Sequence, residues 1–105
     1  MVTKNRLKDK VRPVARQMAG IGNVYRLAIV YLLASGELLS REIVAALGLP
    51  QNLVSHHLKI LVTTGWIRRE RTGRKVTYTL NEKAFLSLQK LLADTYFGRR
   101  ILSSR

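Results

Sequence analysis

The chain has 105 residues, enough for one domain, and carries 19 Lys and Arg against 6 Asp and Glu, a formal net charge of +13. That balance points to a polyanionic partner, duplex DNA before RNA and RNA before an anionic membrane surface. The absence of cysteine excludes disulfides, thiolate metal sites and thiol redox sensing. No apolar run reaches membrane-spanning length and the N-terminus lacks a signal-peptide core, so a cytoplasmic location is expected.

Residues 1–12 hold Lys4, Arg6, Lys8, Lys10 and Arg12 against the single acid Asp9. They read as a basic N-terminal arm, either frayed and solvated or supplying phosphate contacts. The folded domain is expected over residues 13–97. Pro13 suits the first turn of a helix, which places a first helix from about Pro13 to Ala19, broken by Gly20-Ile21-Gly22. Asn23 is a good cap for a second helix, in which Val24, Leu27, Ala28, Tyr31 and Leu32 recur at helical spacing until Ser35-Gly36. This helix is apolar around much of its circumference and is expected to be central.

The stretch Leu39 to Leu80 organises the rest. Ser40 is the expected N-cap, Glu42 falls in the first turn where a carboxylate suits the helix dipole, and Gly48 sits where a helix end needs positive φ. Leu49-Pro50 marks a new start. In the following helix Val54, His57, Leu58 and Leu61 form one buried stripe at i, i+3, i+4 and i+7. Asn52, Ser55, His56 and Lys59 repeat that spacing on the outer side, with Gln51 at its N-terminal edge. Short polar side chains at a helix N-terminus suit base edges in a major groove. Gly65 ends the helix. The period then becomes two: Trp66-Ile67 opens one strand, and Val76, Tyr78 and Leu80 alternate with Thr77 and Thr79 in the next. The turn Thr72-Gly73-Arg74-Lys75 is flanked by Arg68, Arg69 and Arg71. Such a hairpin is either a cationic finger for phosphates or a minor groove, or a strand edge kept soluble by charge; beside a helix-turn-helix the DNA reading is preferred.

Beyond Leu80, Asn81 is a cap for a last helix with an apolar face of Phe85, Leu88, Leu91, Leu92, Tyr96 and Phe97. So much apolar surface with little chain left to cover it wants a second subunit, or else caps its own core. Residues 98–105 read as a basic tail. The expected fold is therefore mainly α with a small β-hairpin (α+β), a winged helix-turn-helix of order α-α-α-α-β-β-α.

Several of these residues together resemble the ArsR/SmtB family of winged-helix repressors: Arg26-Leu27, Gly36-Glu37-Leu38, Val54-Ser55-His56-His57-Leu58 through Leu61, Gly65, Gly73-Arg74 and Tyr78-Thr79-Leu80. The resemblance runs from about Met18 to the last helix. It implies that Arg26 is structural and that the first and last helices pair across a two-fold axis. Val14, Met18, Phe85, Leu88, Leu91, Leu92 and Tyr96 would form that interface. Two recognition helices would then sit about one DNA turn apart on a pseudo-palindromic duplex. It also exposes two departures. The family's metal-ligand positions fall here at about Leu39 and Arg41, and at about Glu82, Ala84, Thr95 and Gly98, so no metal and no cofactor is expected. Pro50 stands where relatives often have a Ser N-cap, so that cap bond is missing.

The histidines separate. His56 lies on the outer face, donating to a base or phosphate or simply solvated. His57 falls on the buried stripe, a core histidine expected to bond to backbone rather than to a metal. Two hypotheses follow. The first is a homodimeric, sequence-specific, metal-independent DNA-binding regulator, acting as a repressor. Gln51, Asn52, Ser55, His56 and Lys59 serve its recognition helix and Arg69, Arg71, Thr72, Arg74 and Lys75 its wing. The second is a weakly specific DNA-coating or RNA- or protein-binding winged helix. An enzyme is not expected: no nucleophile–base pair, paired carboxylates or phosphate-cradling loop is present. The switch stays open among a small apolar ligand, a protein partner and concentration alone.

Overall fold

The computed structural model describes residues 4–93. Along the chain run α1 (Lys4–Ile21), α2 (Val24–Leu33), β1 (Leu38–Leu39), α3 (Ser40–Leu47), α4 (Gln51–Thr63), β2 (Ile67–Thr72), β3 (Lys75–Leu80) and α5 (Glu82–Ala93). The expected order is present with one addition: β1 pairs with β3, giving an antiparallel sheet of order β1-β3-β2. Leu38 lies opposite Tyr78 and Leu39 opposite Thr77. Two residues are too short a strand to show an alternating pattern.

The first helix differs most from expectation. It begins at Lys4, so residues 4–12 of the presumed arm are helical, and Pro13 lies inside it. Proline removes the N–H that would bond the Asp9 carbonyl. Asp9 and Pro13 are both exposed, so the unpaired carbonyl lies on the solvent side of the helix, where it is cheap to leave, and the helix continues. α1 does end within the expected Gly20-Ile21-Gly22 break, at Ile21, but Gly20 itself is still helical. It is a close-packing point: a Cβ there would lie 2.7 Å from Thr64 Cβ at the end of α4.

Asn23 caps α2 as expected, its Oδ1 accepting from the Tyr25 N–H at 2.9 Å and the Arg26 N–H at 3.2 Å. The helix is central, but through the opposite side from the stripe read in the sequence. Ile29, Val30 and Leu33 enter the core, whereas Val24 and Tyr31 are 80% and 74% exposed. With apolar residues on both sides, the spacing alone did not choose a face. Ile43, Val54, Leu58, Leu61, Trp66, Ile67, Tyr78 and Ala84 complete the core. Trp66 is its largest fully buried side chain. Its indole N–H donates to the Gln17 carbonyl at 2.6 Å, and its ring meets the Phe85 ring edge-on at 4.8 Å. Gln17 in turn donates from Nε2 to the Ala84 carbonyl at 3.0 Å. One turn of α1 therefore ties down the start of the hairpin and the start of α5. Asn81 serves α5 through its backbone carbonyl, which accepts from the Ala84 N–H at 3.0 Å. Its side-chain amide turns instead to the Gly65 carbonyl at 2.8 Å.

Candidate nucleic-acid interface

The turn between α3 and α4 is built from local chemistry. α3 starts one residue earlier than the Ser40 cap implies: Leu39 holds the cap position, and its N–H donates to Glu42 Oε1 at 2.8 Å. Gly48 closes α3 with φ +65°, a left-handed conformation that favours glycine. Pro50 follows as the N-cap of α4, with no side-chain cap bond. Its carbonyl accepts from the Leu53 and Val54 N–H groups, each at 3.1 Å. Val54, His57, Leu58 and Leu61 are buried. Helical geometry then leaves Gln51, Asn52, Ser55, His56 and Lys59 exposed on the outside.

The wing pairs Thr72 with Lys75 around Gly73-Arg74. Gly73 has φ +64° and Arg74 does not enter the positive-φ region, the pattern of a type II′ hairpin turn. Arg71 Nε donates to the Gly73 carbonyl at 3.0 Å and hooks the tip. Alternation puts Arg69 and Arg71 on the sheet face of buried Ile67, with Arg68 and Glu70 on the other face. Arg69 is thereby carried towards the helices.

These elements enclose an open groove lined by Gln51 and Ser55 of α4 and by Arg69, Arg74 and Lys75 of the wing. Asn52, His56 and Lys59 are not among its lining residues; they form the other exposed row of α4. Arg71 and Thr72 belong to the wing tip rather than to the groove. The groove also takes in Ser40 and Arg41 from α3, a contribution absent from the sequence reading. The signal was the β1–β3 pairing, which ties the start of α3 to the wing, and a two-residue strand hides it.

Behind the exposed row lies a polar link. Arg26 donates from Nε to the Gly20 carbonyl at 2.8 Å, and its Nη1 stands 3.2 Å from His57 Nδ1. A guanidinium only donates, so Nδ1 must be the acceptor and the imidazole is neutral with its proton on Nε2. Burial, followed by the charges of Arg26 and His56, lowers the His57 pKa below its ordinary value. Arg26 is structural, as the resemblance implied. His57 is a core histidine, but its partner is a side chain rather than backbone.

The interface candidates are less uniform. Met18 is 50% exposed and Phe85 37%, Val14 is half-buried, and Leu88 packs against the chain's own core. The side chains of Leu91 and Leu92, and Tyr96 altogether, lie outside the described residues. Leu7 and Val11, 56% and 48% exposed, extend the apolar stripe of α1 into the segment read as an arm. Among the described residues, no helix is long and apolar enough to cross a membrane, and no group of His, Asp and Glu is placed to hold a metal ion.

A sequence model of the arsR family of bacterial regulatory proteins matches residues 23–68. The chain is similar to the HTH-type transcriptional repressor SmtB of Mycobacterium tuberculosis, 49% identical over 55 residues, covering 52% of this chain and 41% of that protein. It is also similar to a transcriptional repressor SmtB homolog of Synechocystis, 29% identical over 86 residues, covering 82% of this chain and 65% of that one. It thus spans less than two thirds of the length of these curated relatives. Among solved structures it is similar to the homodimeric winged helix-turn-helix DNA-binding domain of Mb0332 from Mycobacterium bovis, a possible ArsR-family transcriptional regulator. The TM-score is 0.71, with 28% identity over 90% of each chain.

Proposed function

We propose that the chain belongs to the ArsR family of winged helix-turn-helix proteins and, on that premise, that it is a cytoplasmic, homodimeric regulator of transcription, a repressor that reads double-stranded DNA. The observation that carries this reading is the joining of α4 to the wing. An exposed row of hydrogen-bonding side chains lies along a helix whose other flank opens into a groove lined with Arg and Lys. Gln51, Asn52, Ser55 and His56 offer short donors and acceptors suited to base edges in a major groove. Lys59, Arg69, Arg71, Arg74 and Lys75, with the Thr72 hydroxyl, suit phosphates or the neighbouring minor groove.

Dimerisation is proposed through the α1 stripe of Leu7, Val11, Val14 and Met18 together with α5, where Phe85 and Leu86 are 37% and 64% exposed. A two-fold pair would present two α4 helices to half-sites about 34 Å apart. The function needs no metal in this reading.

The test is selection of random duplex DNA on the purified chain at near-physiological salt, with its mass in solution recorded alongside. A pseudo-palindrome bound by a dimer is the expected result. The net charge of +13 favours a second reading, a weakly specific coating of DNA. Binding without a preferred sequence and with a steep salt dependence would replace the first reading by that one. Preference for structured RNA would overturn both.

A further inference from the structure

Arg41 is left without a role by the assignments above. It sits in the first turn of α3, exposed, and lines the groove with Gln51, Ser55, Arg69 and Arg74. Among the described residues it has no ion-pair partner. Its neighbour Glu42 is engaged by the Leu39 N–H at 2.8 Å, and no Asp or Glu among the described residues lines the groove. The start of α3 is also fixed to the wing by the ladder pairing of Leu38 with Tyr78 and Leu39 with Thr77. Arg41 is two residues from that ladder, so its distance from Arg69 is set by sheet hydrogen bonds rather than by a loop.

We propose that the groove receives the phosphate backbone of one DNA strand and that Arg41 anchors it from the α3 side while Arg69 and Arg74 hold it from the wing. A helix lying in a major groove has a backbone strand along each flank. The Gln51–Ser55 row adjoins this groove and the Asn52–His56–Lys59 row lies outside it, so the groove is the channel for the strand on the wing side. A guanidinium suits the task because its planar fork grips a phosphate through two parallel bonds. Arg41 is in these terms a positioning residue: it sets where α4 meets the bases and reads none itself.

The inference rests on duplex DNA being the partner, and the experiment separates the two. Arg41→Gln, Arg74→Gln and, as a control on α5 outside the groove, Lys90→Gln are titrated on the selected duplex and on a random duplex over a range of salt. Arg41→Gln should weaken both duplexes by the same factor and reduce the magnitude of the slope of log K against log salt by about 1.8 per dimer, about 0.9 for the one phosphate that each subunit's Arg41 holds. Arg74→Gln should do likewise, Lys90→Gln should leave the slope unchanged, and Arg41→Lys should restore the slope but not the full affinity. Behaviour of Arg41→Gln like that of Lys90→Gln would overturn the inference while leaving the DNA reading intact. A loss confined to the selected sequence would overturn it too, by making Arg41 a base reader. No duplex binding by the unaltered chain would remove both.

Discussion

Replacing Arg26 with Met tests whether the link between α1 and α4 is a structural bond or an incidental contact. The substitution keeps an unbranched apolar stem and removes both donors. It leaves two acceptors without partners: the Gly20 carbonyl, now bonded at 2.8 Å, and His57 Nδ1, at 3.2 Å. An unpaired buried acceptor costs about 1–3 kcal/mol. Both bonds are only partly buried, which puts the combined loss at about 2–4 kcal/mol near neutral pH. Thermal or urea unfolding at fixed chain concentration measures it. The pH dependence supplies a second sign. Burial, Arg26 and His56 hold the His57 pKa below its unfolded value of 6.5. The unfolded chain therefore binds more protons as pH falls below 6.5, and His57's contribution, complete above 6.5, is lost as pH falls through the folded value. Removing Arg26 takes away one cause of the depression, so the destabilisation by Arg26→Met should be smaller at pH 5 than at pH 7.5. His57→Asn keeps an acceptor near the Nδ1 position and removes the titration, so the stability loss between those pH values should flatten. Unaltered stability in Arg26→Met, or an acid profile unchanged in His57→Asn, would refute the reasoning.

Gly20→Ala should cost about 1–3 kcal/mol through overpacking, because its new methyl meets Thr64 Cβ at 2.7 Å; partial recovery by Thr64→Gly in the same unfolding assay would identify the clash. In fluorescence titrations, Ser55→Ala should lose about 1–3 kcal/mol on the selected duplex and relax specificity, whereas Lys75→Gln should weaken all duplexes alike; a reversed pattern would exchange the two roles. Val11→Glu alters an α1 residue that is 48% exposed, so the chain should stay folded while its mass in solution falls from dimer to monomer; a dimer unchanged in mass would move the interface off α1.

The parts of this fold most legible in the sequence were those fixed by short-range chemistry. Asn23 as a cap, Gly48 as a left-handed helix end and the two-residue turn at Gly73-Arg74 each follow from one residue's conformational or hydrogen-bonding preference. The polar and apolar rows of α4 separate because their spacing matches a helix with one buried side. The failures share a different cause. Pro13 lies inside α1 because the carbonyl it orphans faces water, and the inward face of α2 was decided by its neighbours. Gly20 resembled a helix breaker and is a packing point whose reason, Thr64, stands 44 positions away. Arg41 was missed for the same reason: it reaches the candidate site through a ladder between residues nearly forty positions apart. Long-range contacts of this kind leave no local pattern to read.

The hydrogen bonds around α1 bear directly on how such a molecule would read a two-fold site. Two recognition helices match two half-sites only if each keeps a fixed orientation to the dimer axis, and in the proposed dimer α1 lies on that axis. The Gly20 carbonyl is joined through Arg26 to His57 of α4, the Gln17 carbonyl to the Trp66 indole before β2, and the Gln17 amide to the start of α5. Three separate connections within four residues of α1 resist rotation of the reading head in a way that apolar packing, indifferent to direction, does not. The connection to α4 depends on a neutral His57 and is the one that protonation would break. Loosening there would leave the Trp66 anchor in place. The wing would then hold its orientation better than α4, so acid should erode sequence preference before it erodes phosphate binding.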